Sequence, residues 1–241
     1  QIIYDQLPDG VQVPTFSIDV INDRAGDAVL TLSYQTRGLR WQADYIARLN
    51  ADRDRMQLRA MATLNNGSGM DYPNARISLI AGTVNRAPQA PLAERVMMAT
   101  ARDTATAPSV EALGDLYRYA LPGRVDLPRD TMRQVQLFEA RDVPVSLRYR
   151  LTGQTNIYYS PNFPEQTLPV DSYVDFKNAD GQQPGRPMPA GTIRLYLESP
   201  ESSRLSFIGE DQISHTPGQA TVSLKTGKAF DIRGSRRPIA F

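Results

Sequence analysis

The chain carries one histidine, His215, in the run GEDQISHTPG (209–218), close behind Glu210 and Asp211. Imidazole beside carboxylate is the commonest general acid–base pairing, and with a nearby hydroxyl it would activate a nucleophile. The sequence supplies no such partner: there is no G-x-S-x-G elbow, and no H-E-x-x-H, Walker, G-x-G-x-x-G or EF-hand pattern. One His and no Cys leave too few nitrogen or sulfur ligands for zinc. The Asp52-Arg53-Asp54 run lacks the further ligands and turn glycine of a calcium loop. The expectation is therefore no metal, no cofactor and no catalytic residue. The run around His215 reads best as a hairpin connection in which Asp and Thr side chains satisfy free backbone N–H groups. His215 stays a candidate binding residue.

A second candidate is aromatic. Tyr158, Tyr159 and Phe163 lie among Asn, Ser and Pro in TNIYYSPNFPEQTLPVDSYVDF (155–176), outside clean alternation. Two readings stand, packing of this loop on a sandwich rim and a recognition surface, since Tyr is rigid and amphipathic when exposed. A third candidate is the lone tryptophan in TRGLRWQADY (36–45). Trp41, Ala43, Tyr45, Ala47 and Leu49 share one strand face, so Trp41 is expected to be a core anchor rather than a stacking platform. Gly38 suits the turn before it. Asn66-Gly67-Ser68 matches a glycosylation sequon inside NNGSG (65–69), but a backbone turn is the simpler reading.

The elements that must position these residues are strands. Apolar residues alternate at Phe16/Ile18/Val20, Leu30/Leu32/Tyr34, Met56/Leu58/Ala60/Ala62 and Ile77/Leu79. DRAGD (23–27), NADRD (50–54) and NNGSG (65–69) punctuate them as turns. After an Ala/Pro/Thr-rich stretch with a short helix expected near 92–99, strand patterning resumes at 116–122, 132–138 and 143–151. Four more strands follow the loop 178–191: TIRLYLE, RLSFIGE, ATVSLKT and AFDIR. No internal repeat is visible. The expected class is all-β, an antiparallel β-sandwich, with two packed subdomains joined by a long flexible loop. The expected boundaries are 1–86, 87–114 and 115–241.

Composition sets the outer limits. The 241 residues are 41% hydrophobic and 22% charged, an ordinary soluble profile with length enough for a sizeable core. A net charge of +1, from 27 interspersed basic residues against 26 acids, argues against a nucleic-acid binder. Only Lys177, Lys225 and Lys228 are lysines, which we read as the codon bias of a GC-rich bacterial genome. No apolar run reaches the ~18 residues of a membrane span. Without an initiator Met or signal peptide at Gln1, the chain is expected to be a processed product or a piece of something longer.

Several of these stretches resemble one family. LTLSYQTRGLRWQADY places Tyr34, Trp41 and Tyr45 in the Y-x6-W-x3-Y pattern of the bacterial domain-of-unknown-function family 4139, which includes mucoidy-inhibitor A-like proteins. Asn66, Ser68, Gly69 and Asp71 match its N-x-S/T-G-x-D turn, with Tyr72 where Trp is common. PAGTIRLY and FIGEDQISHTPGQATVSLKTGKAFDIRGSRR are similar to its closing block. The resemblance implies a β-rich protein exported to the periplasm or surface of a Gram-negative bacterium, and further sequence beyond Phe241. It brings no catalytic residues. The resulting expectation is a non-enzymatic envelope module working through a protein partner, self-association or another surface. The alternative is an envelope hydrolase or glycan-binding protein using the aromatic loop.

Overall fold

Alternating apolar residues form strands only where a neighbouring strand takes up their backbone N–H and C=O groups. A computed structural model describes residues 31–82, 109–153, 165–179, 185–202 and 204–236. From residue 35 onward these lie in one unit, Gln35–Phe241. All regular structure among the described residues is strand: β1 (Leu39–Leu49), β2 (Arg55–Asn66), β3 (Tyr72–Ala75), β4 (Ser78–Ala81), β5 (Ser109–Leu113), β6 (Leu116–Ala120), β7 (Val125–Leu127), β8 (Thr131–Arg150), β9 (Gln166–Lys177), β10 (Gly191–Glu198), β11 (Leu205–Ile213) and β12 (Thr221–Arg236).

Seven of them make one sheet in the order β11-β10-β1-β2-β8-β9-β12. A β4-β6-β5 sheet and a β3-β7 pair complete the fold. The pairing is antiparallel except between β1 and β10, which run parallel from Ala43↔Gly191 to Leu49↔Leu197. The expected all-β sandwich-like class holds, with that parallel pair as a departure from a purely antiparallel one. β2 hydrogen-bonds directly to β8 in the large sheet.

The core lies on one face of the large sheet. β1 contributes Ala43, Tyr45, Ala47 and Leu49, and β2 contributes Met56, Leu58, Ala60, Ala62 and Leu64. Tyr45 sits directly opposite Ala60, whose small side chain leaves room for the phenol ring. Phe138 packs against that ring at 6.4 Å. Leu79, Ala81, Tyr119 and Leu121 of the β4-β6 region join the same buried cluster, so the small sheet forms the second layer. Trp41 proves to be the outermost member of its row. It is half-buried, donates its indole N–H to the Ile80 carbonyl at 3.3 Å and packs obliquely on Tyr119 at 6.5 Å. The fully buried anchor is Tyr45.

The turn at 50–54 is held by Asn50, whose Oδ1 accepts the N–H groups of Asp54 and Arg55, both at 3.1 Å. Gly38 opens β1 with φ +93°, and a Cβ there would meet the Gly67 carbonyl oxygen at 2.4 Å. Only glycine satisfies both constraints.

Three strand expectations need correction. Leu32 and Tyr34 are exposed in a stretch without regular structure among the described residues. Leu30, the Phe16/Ile18/Val20 segment, the turn at 23–27 and the helix expected at 92–99 lie outside the described residues. The segments 132–138 and 143–151 are one strand, β8. Asp142 at φ 59° accompanies a bulge against β2, which shifts the alternation and makes one strand read as two. β12 likewise unites ATVSLKT and AFDIR across register shifts.

These burials rank the two aromatic positions. Tyr45→Ala should cost about 3–5 kcal/mol, and Trp41→Ala about 2–3 kcal/mol because part of its ring is already in water. Urea midpoints compared under one m-value test this, and a Trp41 variant as damaging as the Tyr45 variant would refute the ranking.

Candidate functional site

β11 ends at Ile213, and the chain then turns through 214–220 into β12. The loop 185–190 comes alongside through a two-way backbone bridge: Met188 N–H to Thr216 O at 2.8 Å, and Thr216 N–H to Met188 O at 2.9 Å. Buried Asn178, just after β9, ties both loops together. Its Nδ2 donates to the carbonyls of Arg186 at 2.8 Å and Pro217 at 3.0 Å, and its own N–H donates to Ala220 O at 2.8 Å. His215 is exposed here. Its Nδ1 accepts the Ala190 N–H at 3.1 Å, so a neutral ring carries its proton on Nε2. The expected hairpin connection is not formed, because β11 pairs with β10 and β12 with β9 rather than with each other. Asp211 does accept backbone N–H groups, from Gln212 and Lys225, whereas the Thr216 hydroxyl donates to the Ser214 carbonyl.

Two phenols hang the 187–189 segment over the core. Tyr119 donates its hydroxyl to Pro187 O at 2.6 Å and Tyr45 donates to Pro189 O at 2.7 Å. Burial is the main cause that pushes both phenols well above the ordinary tyrosine range, and a neighbouring tyrosine adds to it in each case. Between this segment, β6 and the 214–217 turn lies a cleft of about 280 Å³, lined among others by Tyr117, Tyr119, Pro187, Pro189, His215 and Pro217. Its walls are proline and aromatic rings, which suit contact with a flat or apolar group. Among the described residues the hydrogen-bond partner of His215 is the Ala190 N–H, and Asp115 lines the same cleft. A second groove of about 290 Å³ runs past Trp41, Tyr72, Ile77 and Leu79. The Tyr72 hydroxyl is buried there without a hydrogen-bond partner.

The NNGSG turn is a clasp. Asn66 is fully buried, which removes it as a glycosylation acceptor. Its Nδ2 donates to the carbonyls of Met70, Leu127 and Pro128 at 2.8–3.0 Å, and its Oδ1 accepts the Ser68 N–H and hydroxyl. Asp71 continues the clasp by accepting the Arg129 N–H at 2.8 Å and pairing with its guanidinium at 3.1 Å. The turn is thereby fixed to the segment that feeds β8, and the side chains of Asn66 and Ser68 are occupied by structure.

Of the four residues singled out for binding, His215 lines the cleft, while Tyr158, Tyr159 and Phe163 lie outside the described residues. Tyr117, Tyr119 and Asn178 went unread. The tyrosines fall in ordinary strand alternation, and only the proline density of GRPMPAG hinted at a walled loop. Among the described residues no group of three or more His, Cys, Asp or Glu is placed to hold a metal ion.

Three variants separate scaffold from surface. Asn178→Ala strands the carbonyls of Arg186 and Pro217 and should cost roughly 2–4 kcal/mol, whereas His215→Ala should stay within about 0.5 kcal/mol of the parent. The reverse order of melting temperatures would contradict this assignment. Asp71 is held below the usual carboxylate range, first by the Arg129 backbone N–H. Its contribution is present above the unfolded pKa of about 4 and lost as pH falls through the depressed folded value. The stability gap between parent and Asp71→Asn should therefore shrink on acidification below that point, and a pH-independent gap would refute the clasp's charge dependence.

No curated protein and no solved structure matches the chain. The family model described as Domain of unknown function (DUF4139) matches residues 30–234, which include the clasp and both grooves. The chain belongs to the DUF4139 family.

Proposed function

We propose that this chain is a non-catalytic association module of the bacterial envelope, acting outside the cytoplasm through contact with another macromolecular surface. The observation that carries the reading is the placement of large apolar side chains in water on the sheet's closing strands. Leu205 and Phe207 of β11 and Phe230 and Ile232 of β12 are all exposed, as are Tyr149 and Leu151 at the end of β8. Exposed apolar groups concentrated on neighbouring elements mark contact surfaces rather than random surface composition. The extracytoplasmic setting rests on the family resemblance alone. A second reading, a binder of glycans or other ring-bearing ligands, is favoured by the Tyr117/His215 cleft and its proline walls.

The test uses the intact protein in its native cells, with a photo-cross-linking amino acid at Phe207 and, as control, at the exposed turn residue Asp52. Adducts at Phe207 and not at Asp52, recovered from the envelope fraction, are expected. Adducts at neither position, or a purely cytoplasmic protein, would end the association reading. Loss of carbohydrate retention on Tyr117→Ala with Phe207 adducts absent would establish the second reading instead.

A further inference from the structure

The cleft beside His215 is walled by backbone whose hydrogen bonds are already engaged. Pro187 O accepts the Tyr119 hydroxyl, Pro189 O the Tyr45 hydroxyl and Pro217 O the Asn178 amide. Met188 and Thr216 bond each other in both directions. The three prolines have no N–H to offer. On the facing wall β6 is the central strand of its sheet, so its backbone pairs with β4 on one side and β5 on the other. These stretches keep no free N–H for an incoming strand, and recognition in the cleft falls to side chains.

Three polar side chains of the lining are left for an occupant. His215 has its Nδ1 on the Ala190 N–H and so presents an Nε2–H donor. The Tyr117 hydroxyl is a second donor, without a hydrogen-bond partner among the described residues. Asp115 is the sole carboxylate of the lining, and no lysine or arginine joins it there. It is exposed on the two-residue turn between β5 and β6, where Gly114 takes φ 61°, and it has no ion pair among the described residues. The matching occupant has flat apolar rings for the tyrosine and proline faces. It accepts hydrogen bonds along its length and brings a cation at one end. A proline-rich peptide fits each requirement. Its carbonyls point outward in the polyproline II conformation, its prolines carry no N–H that needs an acceptor, and its rings are rigid. A sugar fits less well, since every hydroxyl brings a donor and one carboxylate cannot serve them all.

We infer that the cleft binds a proline-rich segment of a partner protein in the polyproline II conformation, with a lysine or arginine of that segment against Asp115. This rests on the second reading above and takes its ring-bearing ligand to be pyrrolidine rather than sugar. Proline rings pack on Tyr117 and on the Pro187, Pro189 and Pro217 faces, while the two donors take peptide carbonyls. A cleft of about 280 Å³ lies at the small end for ligand sites and suits single rings rather than a folded element. A preformed extended helix also has little conformational freedom to lose on docking. Asp115 sets direction more than strength, because an exposed ion pair attracts weakly while a like charge in its place repels.

Fluorescence anisotropy on the full 241-residue chain tests it. The labelled probes are Arg-Pro-Pro-Ala-Pro-Pro-Arg, the same peptide with glutamate for both arginines, and the same peptide with alanine for all prolines. The arginine peptide should bind, and the alanine version about tenfold or more weaker. Asp115→Lys should weaken the arginine peptide about threefold to tenfold and strengthen the glutamate peptide. Tyr117→Phe removes one donor and should weaken both proline peptides alike, by about threefold to tenfold. Neither substitution changes the packing of the core, and unchanged melting curves would certify the fold. Equal binding of the alanine peptide, or indifference to Asp115→Lys, overturns the inference. Carbohydrate retention that depends on Tyr117, with no peptide bound, overturns it and keeps the second reading. Binding of neither peptide nor carbohydrate overturns both.

Discussion

A phenol buried in the middle of β1 must find an acceptor, because an unpaired hydroxyl in that environment is costly. Tyr45 finds the Pro189 carbonyl. Much of the molecule follows from that hydrogen bond. It draws the 185–190 segment across the end of the core, where Met188 becomes almost fully buried and bridges Thr216. Tyr119, from the other layer, repeats the device two residues earlier at Pro187. A strand of the large sheet and a strand of the small one thus grip the same short loop. The cleft beside His215 exists because that loop is held off the surface by two rigid rings. Prolines on either side of Met188 suit the role, having no N–H to leave unsatisfied.

The two buried asparagines apply the same principle to connections. Asn66 and Asn178 each end or follow a strand, each is fully buried, and each spends its carboxamide on carbonyls from distant loops. An amide is the side chain that both donates twice and accepts, which lets one residue replace several backbone bonds where no ladder is available. The turn from Asn66 to Asp71 is therefore understood as architecture. Its serine and aspartate complete a closed hydrogen-bond set, and Gly38 and Gly67 permit the close approach of two backbones that the set requires.

Period-two alternation made most of the strands legible in the sequence, and the row Ala43, Tyr45, Ala47, Leu49 was read on the correct face. Trp41 was placed too deep because periodicity gives a face and not a distance from the strand's end. The bulges at Asp142 and 229–232 hid the length of β8 and β12, since one inserted residue inverts the alternation that identifies a strand. The parallel partnership of β1 and β10 was illegible, because it joins segments more than a hundred residues apart through backbone groups every sequence possesses. The site fared worse for a related reason. Tyr119 acts through the Pro187 carbonyl and Asn178 through those of Arg186 and Pro217, and nothing in a residue's type announces which carbonyl it will meet.

β11 and β12, the two ends of the sheet order, approach closely enough for a Cβ at Gly209 to fall 2.7 Å from the Thr226 carbonyl oxygen, yet a carboxylate and not a ladder joins them. That approach leaves a seam. Among the described residues a single charge-assisted hydrogen bond spans it, while the other strand boundaries of the sheet are ladders of many bonds. Strand separation costs least where one such bond stands in for a ladder, so amide protection should be lost there first.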